Sequence, residues 1–537
     1  MSPPSSLLQN EVGKAHHHHN PPLPKPVQRK PGGWRSMPYI LGNESFERLA
    51  SIGLVANFTV FLMTVFHMNQ VSASNLINIW YGINNFLPLI GAFISDAYVG
   101  KFWVIAFSSF ATLLGMVTMT LIVALPKLHP PSCARQQALL NQCEGATTRQ
   151  FGFLVLALGF LSVGTGGIRP CSLPFGVDQF DPTTDEGRKG IDSFFNCGSI
   201  FSGMAQTLVA AYKKRNLQVE KAMLYDPPMT KGTYQFQKLP LTNRFRYLNK
   251  AAIILDGETN PDGSRVSSWN LASIQQVEEV KCLIKVIPIL VSGVICYTAL
   301  VQQWTFTVTQ ALKMDRHLGP HFQIPAGSIG VISMITIGIW LPIYDRILVP
   351  SLRKITKIES GITLLQRIGI GIVFSILAMI AAAMVEKKRR DSATSHNRPD
   401  GVAPLSVMWL APQLILMAFA EVFNLLGLLE FYYKEFPDNM KSMSTAMFCV
   451  MAGVGNYLSS ALVTTVHKVT GKHGQPNWLA ADINAGRVDY FYYVIAGLGV
   501  LNMGYHLIVS SQYQYKEKIQ GSEEESKLDI ELNVSKK

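Results

Sequence analysis

Residues 38–58 read PYILGNESFERLASIGLVANF, in which three charged residues stand near the beginning of a long apolar run. Glu44, Glu47 and Arg48 follow i, i+3, i+4 spacing, so in a helix all three share one face. Charge that enters an apolar membrane helix is costly and needs a cavity or a partner. The stretch therefore predicts a membrane helix that carries a polar site.

Apolar runs recur along the chain. Of its 537 residues, 48% are hydrophobic and only 15% are charged, whereas about a quarter of a soluble protein is charged. A membrane helix needs about 20 mostly apolar residues. Ten windows come close to that length: 49–68, 75–95, 103–125, 151–168, 283–304, 326–344, 364–385, 407–429, 443–466 and 489–511. Because lipid offers the backbone no hydrogen bonds, the runs predict an all-α polytopic membrane protein.

Basic residues predict the orientation. The formal net charge is +12, but Lys and Arg lie mostly between and beside the spans, so we expect a lipid bilayer and no nucleic acid as partner. Loop 353–357 is basic, whereas loops 69–74 and 317–325 contain no Lys or Arg. Both termini are therefore predicted to be cytosolic. The basic stretch EKKRR at 386–390 falls outside and disagrees with this orientation.

The order of spans and polar segments predicts five regions. They are a disordered cytosolic tail (1–33), a four-span bundle (34–197), a cytosolic basic linker (198–281), a six-span bundle (282–513) and a cytosolic tail (514–537). The linker has one apolar patch with the spacing of a helical face. Its members are Ile200, Phe201, Met204, Leu208, Val209 and Tyr212. Too short to span, it predicts an interfacial or cytosol-facing helix.

The charges of the first span have two interpretations. Two carboxylates and one guanidinium leave one negative charge uncompensated, and Glu44 can pair with Arg48 along the helix. Burial raises the pKa of a carboxyl group and a nearby guanidinium lowers it, so a proton could bind and leave near neutral pH. That is what a proton-coupled carrier needs. Alternatively, the acids lie at the membrane edge and favour a helix N-terminus.

Two further charges enter the predicted spans. Glu421 lies mid-span in LMAFAEVFNLLG, where a charge should face a cavity or a partner. Arg169 ends the glycine-rich run SVGTGGIRP at the close of the fourth span. We expect a functional role for Glu421, while Arg169 could also extend to the membrane interface.

Short loops add two candidate features. Asp96, Gly100 and Lys101 form a tight loop in GAFISDAYVGKFW, which is either a gate on the inner side or an ordinary turn. Cys133 and Cys143 share one external loop, so they form a local disulfide or remain two free thiols. No CxxC occurs and no zinc or redox site is expected.

At these residues the sequence resembles a known family. NESFERLA, with its acid–two residues–acid–Arg pattern, resembles the first helix of the plant nitrate/peptide transporter family. That family belongs to the proton-dependent oligopeptide transporters of the major facilitator superfamily. The resemblance runs from about Gly32 to Tyr513 and includes LIGAFISDAYVGKFW, GTGGIRPCSLPFGVDQFD, TFTVTQALKMDR, FQIPAGS and AEVFNLLG.

The resemblance implies a fold and roles for residues. It implies twelve helices in two bundles of six around a central cavity, and uptake of a solute with protons by alternating access. Glu44, Glu47 and Arg48 match the proton-coupling motif. Arg169 and Glu421 match a basic and an acidic residue of the cavity, between which the substrate would be held. No cofactor is implied, since protons are the coupling ion, and the family's usual place is the plasma membrane.

Two departures bear on the substrate. Some nitrate carriers of the family have a His two residues before a Gln of the seventh helix, and here that position, before Gln302, is Leu300. Family members often have the sequence Gly-Gln-Leu after the acid of the tenth helix, whereas the corresponding residues here are Gly427–Leu428–Leu429. A nitrate site using that His is not supported. The branch with the greatest resemblance carries nitrate and glucosinolates.

A third departure removes two helices. In relatives, SFFN begins the fifth helix, and a loop resembling GSIFSGMAQ comes only after the sixth. Here Cys197 directly joins these two sequence segments. The lost segment amounts to roughly 50–70 residues at about 20 per span. We therefore expect about ten helices and a major facilitator fold with its first bundle truncated.

These observations predict a transporter, not an enzyme, because no nucleophile–base arrangement or phosphate loop occurs. The expected activity is proton-coupled symport of nitrate or a related anion such as a glucosinolate, impaired by the loss of two helices. One alternative is a non-transporting splice form or gene-model product that modifies a full-length partner. Another is symport of a peptide or other organic solute. The oligomeric state stays open.

Overall fold

Four long helices of the described residues form the first bundle. The computed structural model describes residues 37–133, 143–177, 203–218, 222–227, 239, 241–358, 360–396, 401–437, 440, 442–471 and 477–515. The helices are α1 (Met37–Thr64), α2 (Gln70–Ile94), α3 (Lys101–Ala124) and α4 (Thr148–Val177). A π-helical turn, Ser95–Val99, joins α2 to α3. The expected N-terminal tail at 1–33, all but the first two residues of the expected C-terminal tail at 514–537, and the junction at Cys197 lie outside the described residues.

Six long helical segments form the second bundle. They are α5 (Ile274–Leu312), α6 (Ala326–Thr356), α7 (Leu364–His396), α8 (Val407–Glu435), α9 (Ser442–Thr470) and α10 (Val488–Gln512). Segment α6 begins with a 3₁₀ turn, Ala326–Gly330, and contains a π-helical turn, Tyr344–Leu348. Segment α8 likewise begins with a 3₁₀ turn, Val407–Leu410, and contains a π-helical turn, Glu421–Leu425.

The apolar runs predicted these helices. Nine helices of the described residues, α2 to α10, are long and apolar enough to cross a membrane. The first predicted span lies mostly within α1, which begins at Met37, ahead of the apolar run. The prediction of a mostly helical membrane protein with about ten helices is confirmed.

Each bundle has its own apolar core. Phe58, Trp80 and Leu158 belong to the core between α1, α2 and α4. Two larger clusters fill the second bundle, one around Phe431 and one around Phe491. A two-residue strand β1 (Met314–Asp315) pairs in parallel with β2 (Ala403–Ser406), with Met314 opposite Ala403. The two strands join the connections that follow α5 and α7.

The linker packs against the beginning of α5. A helix covers residues 203–213, and a helical turn, Arg246–Asn249, continues as a 3₁₀ turn, Lys250–Ala252. Ala210, Ala251 and Val277 lie in one buried cluster, so linker and helix share a core. At the helix end, Lys214 forms an ion pair with Glu258 at 2.6 Å.

The stretch EKKRR has a structural explanation. Residues 386–390 do not form a loop but lie within the last third of α7. Glu386 and Arg389 are almost fully buried and form an ion pair at 2.8 Å. Arg390 pairs with Asp489 at 3.0 Å, and Lys388 lies over the Trp409 ring at 3.5 Å. Arg389 and Arg390 therefore have acidic partners within the second bundle, whereas Lys387 and Lys388 remain exposed.

Candidate functional site

A small polar cavity lies within the first bundle. Its volume is about 60 Å³, and side chains from α1 to α4 line it. The polar lining residues are Glu47, Ser51, Trp80, Tyr81, Asn84, Asn85, Thr112, Thr165 and Arg169. The structure thus brings together two of the residues that the sequence singled out, Glu47 of α1 and Arg169 of α4.

Glu47 is buried with an incomplete set of partners. The side chain is 6% exposed, and the Ser51 hydroxyl, one helical turn away, donates to its Oε1 at 2.8 Å. Its Oε2 has no hydrogen-bond partner among the described residues. The side chains of Glu44 and Arg48 lie outside the described part of the chain, so their predicted pairing stays a prediction. A buried carboxyl oxygen without a partner is costly, and a proton or a water would satisfy it.

The glycine run before Arg169 brings three helices close together. A Cβ at Gly91 of α2 would collide with the Gly166 carbonyl oxygen of α4. A Cβ at Gly167 would collide with the Ser108 hydroxyl of α3. Small residues allow such close contact between membrane helices. The run SVGTGGIRP therefore packs α4 tightly and fixes the backbone that carries Arg169 at the cavity.

Glu421 lies in the second bundle, at the first residue of the π-helical turn of α8. Such turns occur often at functional sites. The Trp304 indole Nε1 donates to Glu421 Oε1 at 3.3 Å. Among the described residues no ion pair joins Glu421 to Arg169, and the Trp304 indole is the hydrogen-bond partner of the Glu421 carboxyl group. The predicted placing of a substrate between the two charges stays a prediction.

Polar side chains join the two bundles between α2 and α9. Asn78 Nδ2 donates to the Ser459 hydroxyl at 2.9 Å, and Gln302 of α5 donates to the same hydroxyl at 2.6 Å. One turn away, Asn75 Nδ2 donates to the Thr464 hydroxyl at 3.0 Å, and the Ser460 hydroxyl donates to Asn75 Oδ1 at 2.8 Å. We call these six residues the inter-bundle contact. The asparagines in an apolar run were a signal that the sequence interpretation did not use.

The remaining candidates have simple geometry. Gly100 has a positive φ of 84°, which turns the chain between the π-helical turn and Lys101, the first residue of α3. The Asp96 side chain lies outside the described residues, so a gating role stays a prediction. The structure joins Cys133 and Cys143 in a disulfide with a Cα–Cα distance of 5.5 Å. No group of His, Cys, Asp or Glu in the described ranges could hold a metal ion.

Two bundles of apolar helices joined through a polar contact define the class of protein as a polytopic helical membrane protein. The structure of an auto-inhibited POT family peptide transporter matches with a TM-score of 0.59 at 19% identity, covering 89% of this chain and 97% of that one. The POT family transporter PepTSo matches with a TM-score of 0.56 at 18% identity, covering 89% and 98%. Both show the fold.

The sequence comparisons show the family. The PTR2 model, described as the POT family, matches residues 102–217 and 198–479. Protein NRT1/PTR FAMILY 2.13 of Arabidopsis thaliana is 48% identical, covering 95% of this chain and 92% of that protein. Protein NRT1/PTR FAMILY 2.12 of the same plant is 46% identical, covering 94% and 97%. The chain belongs to the POT family of transporters, as its motifs predicted, and it is not an enzyme.

The comparisons agree with a missing segment. The first alignment spans 573 positions, whereas 95% of the 537 residues is about 510, so about sixty positions hold no residue of this chain. The two matches to the family model overlap over residues 198–217, directly after Cys197. Two helices of about 20 residues each and their connections would account for this number of residues.

Proposed function

We propose that this POT family chain is built as a proton-coupled symporter of a small anion, with Glu47 as the proton-binding residue and Arg169 as the anion-binding residue. The observation that carries the proposal is the shared cavity of these two side chains. The buried Glu47 has one oxygen without a partner in the described structure, so it has a place for a proton. The Arg169 guanidinium is available to an anion when the Glu47 carboxyl group is neutral, whereas a charged Glu47 carboxylate competes with the anion for the guanidinium.

The proposed substrates are nitrate or a larger organic anion such as a glucosinolate. Leu300, at the position where some nitrate carriers of the family have His, is 9% exposed and belongs to an apolar cluster. It therefore offers no polar group to an anion. Recognition would fall to Arg169 and the neutral lining side chains, such as Asn84 and Thr165. The cavity of about 60 Å³ accommodates a small anion as it stands, so a glucosinolate would need the cavity to widen.

A second proposal concerns the direct junction at Cys197. A chain without two spans lacks the packing partners that membrane helices rely on. We expect transport to be weak or absent, as in a non-transporting form that modifies a full-length partner. The intact cavity favours transport, and the missing segment favours an inactive form. A measurement of solute uptake by the chain therefore separates the two proposals.

The test is uptake at acid external pH. The chain is expressed in cells, its surface amount is measured, and labelled nitrate, a glucosinolate and a dipeptide are offered separately. Glu47→Gln is compared with Asp391→Asn, which makes the same chemical change at an exposed side chain. Acid-stimulated anion uptake that Glu47→Gln abolishes and Asp391→Asn preserves supports symport by this chain.

A second form with the missing helices restored separates the remaining outcomes. Uptake by the restored form alone assigns the loss to the junction at Cys197. Dipeptide uptake without anion uptake would overturn the anion proposal and favour an organic solute. Anion uptake that Glu47→Gln leaves acid-stimulated would overturn the role of Glu47.

A further inference from the structure

The linker helix 203–213 turns its small residues toward the protein. Gly203, Thr207, Ala210 and Ala211 are buried, and Ala210 and Ala211 pack in the cluster that contains Val277. At the end of the helix the buried Lys214 is held by Glu258. The helix is therefore fixed to the protein through one well-packed face.

The opposite face of this helix is apolar and uncovered in the described structure. Leu208 is 42% exposed, Val209 is 36% exposed and Tyr212 is 68% exposed. Together with the exposed Ala205, they follow i, i+3, i+4, i+7 spacing, which forms one continuous stripe. Leu208, Val209 and Tyr212, which belong to the apolar helical face that the sequence predicted, are thus exposed on the surface of the protein. A stripe of this kind in water would be unfavourable, so it needs an apolar environment.

The position of the helix places this stripe at the membrane boundary. Met204 packs against the core cluster that includes Leu283, the first residue of the predicted fifth span, and also against the linker cluster. Gly203 lies beside the side chain of Gln276 in α5. The helix therefore lies at the level where α5 enters the apolar layer.

Positive charge lies at the C-terminal end of the same stripe. Lys213 and Arg215 are exposed, and the Arg215 guanidinium lies over the Tyr212 ring at 4.6 Å. Lys213 donates to the neutral Asn270, and neither cation has an acidic partner among the described residues. Residues 203–213 contain no Asp or Glu. Apolar residues next to uncompensated cations are typical of helices that lie in the surface of an anionic membrane.

We propose that the stripe Ala205–Leu208–Val209–Tyr212 lies in the adjacent membrane leaflet, with Lys213 and Arg215 binding anionic lipid headgroups. In the cytosolic orientation proposed for the linker, this is the inner leaflet. The lipid contact fixes the linker between the bundles at the membrane surface. The proposal does not depend on transport, because the helix would bind lipid in an inactive chain as well.

The experiment measures the depth of one side chain in the membrane. The full chain, with the five cysteines other than the Cys133–Cys143 pair (Cys171, Cys197, Cys282, Cys296 and Cys449) changed to alanine, receives Leu208→Cys and an environment-sensitive fluorophore. Asp262→Cys, at an exposed position of the same linker, is the matched control. Both are reconstituted in vesicles of phosphatidylcholine and phosphatidylserine in equal parts, after size-exclusion chromatography shows that each variant is folded.

Quenching by brominated lipid and by aqueous iodide distinguishes the environments. Because an interfacial helix buries its apolar face at the headgroup–acyl boundary, we expect brominated lipid to reduce fluorescence at 208 by about twofold and to leave 262 unchanged. Iodide quenching at 208 equal to that at 262 would place the stripe in water and overturn the proposal. Protection from both quenchers would mean that protein covers the stripe, which overturns it as well.

The charge is tested separately. In the vesicles that contain phosphatidylserine, Lys213→Gln with Arg215→Gln should reduce the quenching of the label at 208 by brominated lipid. The quenching should fall to the level that the labelled Leu208→Cys parent, with both cations in place, shows in vesicles of phosphatidylcholine alone. If the parent is quenched equally in both kinds of vesicle, the assignment of anionic headgroups to these two cations is wrong.

Discussion

Asn78 of α2 and Ser459 of α9 are 381 residues apart in the sequence and are joined by a hydrogen bond of 2.9 Å across the two bundles. Both side chains are almost fully buried. Gln302 also donates to the Ser459 hydroxyl, so three helices meet at one oxygen. Under the alternating access that the family resemblance implies, this contact would break when its side of the protein opens.

We predict that Asn78→Ala favours opening on the side of the inter-bundle contact. A buried hydrogen bond contributes about 1 kcal/mol, so its removal changes a two-state ratio by a few-fold. Spin labels at the exposed positions Ser72 and Val469 report the distance between α2 and α9. The variant should show a larger population at long distance than the parent.

The matched control for this prediction is Asn57→Ala. The Asn57 amide donates to the Gly53 carbonyl within α1, so it joins no two helices. Its removal should leave the distance distribution unchanged. A parent-like distribution for Asn78→Ala would show that the hydrogen bond does not contribute to closure.

Gly371 and Asn424 give the second prediction, because they set the distance between α7 and the π-helical turn of α8. A Cβ on Gly371 would lie 2.5 Å from the Asn424 backbone nitrogen, and the Asn424 side chain donates to the Ile368 carbonyl at 3.3 Å. Gly371→Ala should displace the turn that carries Glu421 and destabilise the protein by about 1–3 kcal/mol. Thermal unfolding of the purified protein measures the loss.

Gly338 of α6 provides the comparison. A Cβ there meets no atom within 4 Å, so Gly338→Ala should unfold at the temperature of the parent or above it, since alanine favours helices. Equal unfolding temperatures for the two alanine variants would mean that α7 and α8 can separate without cost.

The apolar runs predicted the helices because a bilayer leaves the backbone few alternatives. The site was predictable in part. Glu47 and Arg169 stood out as charges in apolar segments, and the structure places both at one cavity. Partners such as Asn78 and Ser459 depend on how α2 and α9 align in space, which local sequence does not encode.

Two features show why local patterns were insufficient. EKKRR has the composition of an exposed loop, yet Arg389 is buried because Glu386 and Asn484 satisfy its guanidinium. In the linker helix, the sequence showed the spacing of the apolar residues, but it did not show which face of the helix packs against the protein. Small residues on the other face pack more closely against α5, so the larger Leu208 and Tyr212 remain outside.

The third prediction concerns the buried pair Glu386–Arg389. Removing one member leaves an uncompensated charge in the bundle, so Arg389→Leu should cost about 3–5 kcal/mol. Lys387 is exposed between them, and Lys387→Leu should leave the stability nearly unchanged. The double variant Glu386→Leu with Arg389→Leu should recover part of the loss, because no charge remains unpaired. Thermal unfolding in detergent compares the four proteins, and a double variant as unstable as Arg389→Leu would refute the role of charge pairing.

The last prediction concerns the residue that follows α10. The Tyr513 hydroxyl donates to Glu435 Oε2 at 2.7 Å, and Lys285 pairs with the same oxygen at 3.0 Å. Tyr513→Phe keeps the ring over which Lys285 lies at 4.6 Å but removes one hydrogen bond to a carboxylate. It should therefore lower the free energy of unfolding by about 1.5–3 kcal/mol. Tyr493→Phe, the same change at a side chain that is 42% exposed, should have almost no effect on thermal unfolding, and a loss of equal size would show that Tyr513 stabilises the bundle without its hydroxyl.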